Sequence, residues 1–422
     1  MRKKNYLWYQ FWRHTVVGNG LRFFYSTVKT SGKEHLPKDK PILYVPNHQN
    51  SFMDALHVAT TTKPVIYFLT RAQAFKPDII GKFLWSINMM PVYRVRDGLK
   101  SVQKNNEIFE KCIQYLKNKD TVLVFAEANH NLKRRIRPLS KGFTRIAFGA
   151  EEKHNWELDL QIVPVGVNYS EHRTGGNAVQ VNYGKPIPVS NFRSLLEKDE
   201  KEAVETMKEQ VSDAMKELVF HVEDLNEYPV HKILWDDLEP DNFKIIDPEI
   251  ANPRIRKTHE HITPELIEKA KELTNIADKH DVDLNELACG KQFGFKDFVL
   301  VPFYLFSLLN NIIPYQPIRY LIRNVIRDNA FDSSIKFLSS LFLLPMFYVL
   351  VSLILLFTGV DGYFILGYLA LSVLTATLFI RAKQLFSPRS GRKLRKKKPG
   401  LYDKLQSHLQ SFKQLRESIL NE

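Results

Sequence analysis

An imidazole and a carboxylate stand close together early in the chain. His48 lies in the polar run Pro46-Asn47-His48-Gln49-Asn50-Ser51, and Asp54 follows after five intervening residues. That pair is what a general base needs. An imidazole titrating near pH 6.5 can take a proton from a hydroxyl through one ring nitrogen, while the other donates to an orienting carboxylate. Six steps along a continuous helix would put the two side chains on different faces, so the chain must turn between them. Plainer readings fit the same residues. Ser51-x-x-Asp54 matches a helix N-cap box, and His48 fits an ordinary loop histidine. Asp54 can serve both as cap and as partner.

The pair is placed by its surroundings. The apolar run Ile42-Leu43-Tyr44-Val45 reads as a buried strand that ends at the His48 loop, with a periodic segment starting near Asp54. Val28 to Pro41 reads strand-turn-strand, with Ser31-Gly32 and Pro37-Lys38-Asp39-Lys40 as turn signals. Further strands are expected at Pro64–Leu69, from Met89 to a polar turn at Gly98, at Thr121–Phe125 and at Ile162–Val167. Helices are expected between them, over 101–117 and Phe143–Glu152 among others. Alternation at this spacing predicts an α/β domain over residues 28–190.

The chain has 422 residues, a formal charge of +14 and two cysteines, Cys112 and Cys289. Two distant cysteines cannot build a disulfide framework, which points to a reducing compartment. The positive charge calls for an anionic partner, either nucleic acid or membrane phospholipid. A mildly negative mean hydropathy leaves room for membrane spans, because it averages a polar middle with apolar ends.

With these residues assembled, the stretch resembles the glycerolipid acyltransferase family, which includes lysophosphatidate and glycerol-3-phosphate acyltransferases. Four blocks carry the resemblance in order: Asn47-His48 with Asp54, Met90-Pro91-Val92-Tyr93-Arg94, Val124-Phe125-Ala126-Glu127-Ala128, and Ile162-Val163-Pro164-Val165. There are two departures. The family's commonest spacing leaves four residues between His and Asp, where this chain has five. Ala126 and Ala128 stand where Pro and Gly are usual, and the usual Thr-Arg pair is missing, so a cation there must come from Lys133, Arg134, Arg135 or Arg137. The resemblance implies acyl transfer from an acyl thioester, acyl-CoA or acyl carrier protein, to a hydroxyl of a phosphorylated glycerol. His48 would be the base and Asp54 its orienting partner. Arg94 would grip the acceptor phosphate, and Glu127 would bind a glycerol hydroxyl or orient Arg94. Asn47 would border the substrate, and Pro164 would shape the strand beside the acyl tail. Backbone amides near Asn50-Ser51 would serve the oxyanion. No cofactor is expected beyond the acyl donor. A metal at His259-Glu260-His261 is not expected, because no further ligand is placed there.

Outside this domain the expected organisation is as follows. Residues 1–27 mix Arg2, Lys3, Lys4 and Arg13 with Trp8, Phe11, Trp12 and Phe23, which fits an amphipathic helix in a membrane interface or one docked on its own domain. Residues 191–295 read as a charged helical extension, irregular over 223–262, and 296–330 as an interfacial or re-entrant segment. Residues 331–386 read as a transmembrane hairpin of Phe337–Phe357 and Tyr363–Ile380, and 387–422 as a basic tail. The turn at Gly359-Val360-Asp361-Gly362 lacks Lys and Arg while both outer flanks carry them. This predicts that the catalytic domain and both termini face the cytoplasm. A basic tail beside a span favours anionic lipid over nucleic acid.

The expected protein is therefore a membrane-bound acyltransferase of phospholipid synthesis, acting on glycerol-3-phosphate or 1-acylglycerol-3-phosphate. The alternative is a non-catalytic membrane-anchored lipid-binding protein, motivated by the His–Asp spacing and the altered third block.

Overall fold

The computed structural model describes residues 6–93, 99–239, 247–291, 293–326 and 328–421. The chain divides into two compact units, Met1–Arg173 with Ala178–Val219, and Thr174–Asn177 with Phe220–Glu422.

The first unit is built on an eight-stranded mixed sheet. Its strands are β1 (Thr27–Ser31), β2 (Ile42–Pro46), β3 (Ile66–Arg71), β4 (Met89–Val92), β5 (Thr121–Leu123), β6 (Gln161–Tyr169), β7 (Ala178–Tyr183) and β8 (Ile187–Pro188). The order is β1-β7-β6-β2-β5-β3-β4, with β8 on β6. β6, β2, β5, β3 and β4 run parallel to one another, and β7 and β8 pair antiparallel with β6. β2 is central and buried throughout. Its alternate residues serve the two faces of the sheet. Leu43 and Val45 join the core under the helices Leu99–Lys117, Gly142–Glu152 and Glu200–Glu217. Tyr44, equally buried, lies against Tyr183 on the opposite face. A parallel sheet covered on both faces accounts for the continuous apolar runs of its strands.

The expected strand-turn-strand over Val28–Pro41 is corrected. One strand forms, followed by a 3₁₀ turn at Lys33–His35 after Gly32. Gly32 sits at φ 72, where an added Cβ would meet the carbonyl of Tyr183, so the position calls for glycine. Residues 6–24 are helical, with a π-helical middle at Phe11–Gly18. This segment docks on its own domain. Arg13 is buried and donates to the carbonyls of Lys63 and Pro64, at 2.9 and 3.1 Å. Trp12 meets Phe83 edge-on at 4.9 Å. Leu7, Phe11 and Phe23 stay exposed, as do Ile79 and Ile80 of the helix Asp78–Ser86.

The second unit is helical. Helices Tyr228–Lys232 and Pro248–His259 form where irregular chain was expected, each with a proline in its first turn and the latter capped by Asp247. Their core of Val230, Leu234, Trp235, Ala270 and Leu273 is completed by Leu405, Leu409 and Phe412 of the C-terminal helix Pro399–Asn421. Among the described residues one single helix, Asn329–Phe357, is long and apolar enough to cross a membrane. Where the second span is expected, Gly362–Ala376 and Leu378–Phe386 pass that test only together and bend by 66° at the break between them. At the bend the Thr375 carbonyl accepts from the Ser307 hydroxyl, and Thr375 Oγ1 donates back to Leu371, both drawing on the helical ladder. The segment expected to be interfacial contains a 20-residue helix, Val301–Tyr320.

Candidate active site

Parallel strands carry their carboxyl ends to one edge of the sheet, where α/β proteins bind ligands. The loop after β2 delivers His48 to that edge and the loop after β5 delivers Phe125 and Glu127. Because β2 and β5 are neighbours, these loops touch. The His48 ring stacks on Phe125 at 3.9 Å and 16°. His130 stands edge-on to it at 5.5 Å.

His48 and Asp54 meet. Nδ1 of His48 lies 3.0 Å from Oδ2 of Asp54. The chain turns between them at Ser51, which takes φ 51 and ψ −133 ahead of the helix Phe52–Thr61. The expected cap box does not form as drawn: Ser51 makes no side-chain cap bond, and Asp54 Oδ2 accepts from the Asn50 amide at 2.9 Å. The Asn50 amide is thereby committed to the carboxylate instead of an oxyanion. Asp54 is fully buried, and its other oxygen accepts from the Tyr169 hydroxyl at 2.7 Å. Every oxygen of the carboxylate thus has a donor, which is what a buried charge requires.

Burial pushes His48 below the ordinary imidazole range. The Asp54 bond raises it again, and His130 and Arg137 lower it further. Among the described residues no hydrogen bond reaches its Nε2. His57, one turn beyond Asp54, is buried against Tyr25 and Tyr169, and burial lowers it to about 4. It is a neutral packing residue.

Glu127 is placed between the two loops. One oxygen accepts from the His48 backbone amide at 3.2 Å and the other from Arg137 Nε at 2.7 Å. Burial pushes its carboxyl up to about 7, against the pull of Arg137. Of the four candidate cations, Arg137 is the one paired with Glu127, while Arg134 is buried and reaches the Ser170 carbonyl. Ala128 takes φ 61, the left-handed turn for which the family uses glycine.

Asn47 turns away from the site edge. Its side chain is buried and bonds both backbone groups of Val167 on β6. Pro164 lies within β6, opposite Val45 of β2. Arg94 falls on 94–98, outside the described residues, although the strand leading to it, β4, ends at the same edge. Sequence reasoning missed Tyr169. Its one signal was period-two alignment with Val163, Val165 and Val167 on one face of β6.

The sheet brings a histidine–carboxylate pair to its carboxyl edge beside a buried glutamate. Residues 27–168 match the family model described as Acyltransferase, and both members of the pair lie inside the matched segment. Among solved structures, the 1-acyl-sn-glycerophosphate (LPA) acyltransferase PlsC from Thermotoga maritima is similar at 21% identity, over 52% of this chain and 83% of that chain, with a TM-score of 0.38. No curated protein matches the sequence.

Proposed function

We propose that this chain is a membrane-bound acyltransferase of phospholipid synthesis. It moves a fatty acyl group from an acyl-CoA or acyl carrier protein thioester to a hydroxyl of glycerol-3-phosphate or 1-acylglycerol-3-phosphate. One observation carries the reading: the 3.0 Å contact of His48 Nδ1 with a buried carboxylate. His48 Nε2 takes the acceptor hydroxyl proton as that oxygen attacks the thioester carbonyl carbon. The new C–O bond forms, the carbonyl pair moves onto oxygen and returns, and the C–S bond breaks. The sulfur leaves as a thiol with the proton that His48 held. Asp54 steadies the imidazolium between these steps. The thioester is already activated, so no covalent acyl-enzyme is needed, and Cys112 is buried in the core. Glu127 holds the His48 loop and presents Arg137 toward the acceptor phosphate, and Arg94 is the second candidate for gripping that phosphate. Asn47 braces the loop.

Membrane attachment belongs to the same proposal. The long apolar helix Asn329–Phe357 and the bent pair after it form the anchor, with the cytoplasm facing the basic residues Arg392–Lys398. On the first unit, exposed Leu7, Phe11, Ile79 and Ile80 make an apolar face fitted to a lipid interface, where a lipid acceptor would be drawn from.

Turnover of labelled acyl-CoA with each acceptor, by the wild-type protein and by His48→Ala, tests the reading. The expected loss is about 10²- to 10⁴-fold in kcat. Full activity in the variant would remove His48 from its role. Lipid binding without turnover under any donor would favour a non-catalytic lipid binder.

A further inference from the structure

We infer that Tyr169 is a positioning residue of the proposed reaction, acting on His48 through Asp54. The inference rests on the acyltransferase reading of the His48 site. Tyr169 ends β6 fully buried, and its hydroxyl lies 2.7 Å from Asp54 Oδ1. Asp54 ionised carries acceptors only, so in this contact the phenol donates. The remaining oxygen, Oδ2, takes His48 Nδ1 and the Asn50 amide. Three donors from three places therefore fix the carboxylate in plane and in rotation: a loop histidine, a loop amide, and a strand tyrosine 115 residues further on.

The phenol contributes what the other two donors cannot. The His48 and Asn50 contacts both fall on one oxygen and leave the carboxylate free to pivot about it. The Tyr169 bond anchors the second oxygen and closes that pivot. Its ring is itself fixed, lying 5.6 Å from His57 and 5.3 Å from His172, with Tyr25 at 6.2 Å. The effect on chemistry is confined to the moment at which His48 becomes cationic. A fixed, charged Asp54 stabilises that imidazolium, and a pivoting carboxylate does so less well. Ground-state binding of donor and acceptor does not involve Tyr169, since its whole side chain is beneath the site.

The test compares wild-type protein, Tyr169→Phe, Tyr183→Phe and His48→Ala as full-length chains in detergent or vesicles. Tyr183 is a second buried tyrosine whose hydroxyl bonds Thr61, away from the dyad, so it controls for loss of a buried phenol. Tyr169→Phe is expected to lower kcat about 10- to 100-fold, the size of one lost bond to a charged group, while KM for both substrates stays within about two-fold. Tyr183→Phe is expected to leave kcat near wild type. A readout independent of turnover is the ¹⁵N-histidine spectrum, in which the Nδ1 signal of His48 should move in Tyr169→Phe and stay in Tyr183→Phe. A folded Tyr169→Phe protein with wild-type kcat and an unmoved His48 signal overturns the inference. If it does so while His48→Ala is inactive, the acyltransferase reading stands and only the role of Tyr169 falls. If His48→Ala retains full activity, both fall together.

Discussion

The side-chain amide of Asn47 clasps the backbone of Val167, accepting its N–H at 2.7 Å and donating to its carbonyl at 3.1 Å. Asn47 thus continues the pairing of β2 with β6 by one side chain beyond the strand end. Its own main-chain amide adds a bond to Val165. Asn47→Ala would leave two buried backbone groups unpaired and is expected to cost roughly 2–4 kcal/mol. A thermal melt of the variant should fall by several degrees. At a temperature where it remains folded, its KM for the acceptor should stay near wild type. A large KM rise with an unchanged melt would instead place Asn47 on substrate.

The acid side of the activity profile should lie low. Burial, His130 and Arg137 hold His48 below the ordinary imidazole value of about 6.5, so the neutral base persists to lower pH. The acid limb of kcat/KM is expected below that value. Asp54 pulls in the opposite direction, so Asp54→Asn should move the limb lower still while reducing kcat at least about ten-fold. A limb above pH 6.5 in the wild type contradicts this.

Glu127 gives stability its own pH dependence. Its folded carboxyl is raised to about 7 by burial, above an ordinary glutamate, so the folded state holds its proton more tightly than the unfolded chain. This contribution is complete below the unfolded value of about 4.3 and is lost as pH rises through about 7. Melting temperature should therefore decline over that window in the wild type and less steeply in Glu127→Gln. Equal slopes for the two proteins would rule it out.

Ala128 is strained where glycine would not be. Its φ of 61 costs an L-residue about 1 kcal/mol that glycine does not incur. Ala128→Gly should raise the melting temperature by a few degrees, minus the entropy that glycine adds to the unfolded chain.

Much of this architecture can be read from residues alone, for reasons visible in the structure. Ile42–Val45 and Ile162–Val167 announce themselves because parallel strands covered on both faces must be apolar throughout. The His48–Asp54 pair is legible because its members share one loop and one helix start. Tyr169 was not, since it reaches the site across the sheet, and Arg137 could be narrowed only to one of four cations in an irregular loop, because periodicity says nothing about such approaches. The bend at Thr377 was hidden because composition records how apolar Tyr363–Ile380 is, and not where Ser307 draws a carbonyl out of the helix. Helices over 228–259 were masked by their Pro and Asp content, which serves caps and first turns there.

β2 holds the centre of the sheet, yet both of its partners come later in the chain, β5 at Thr121 and β6 at Gln161. As the polypeptide leaves the ribosome, the histidine emerges more than a hundred residues ahead of the tyrosine that steadies its carboxylate. The three-donor frame around Asp54 is therefore complete only when β6 closes onto β2. A chain ending before that strand carries His48 and Asp54 without the Tyr169 contact, so under the proposed reading activity would wait for completion of the sheet.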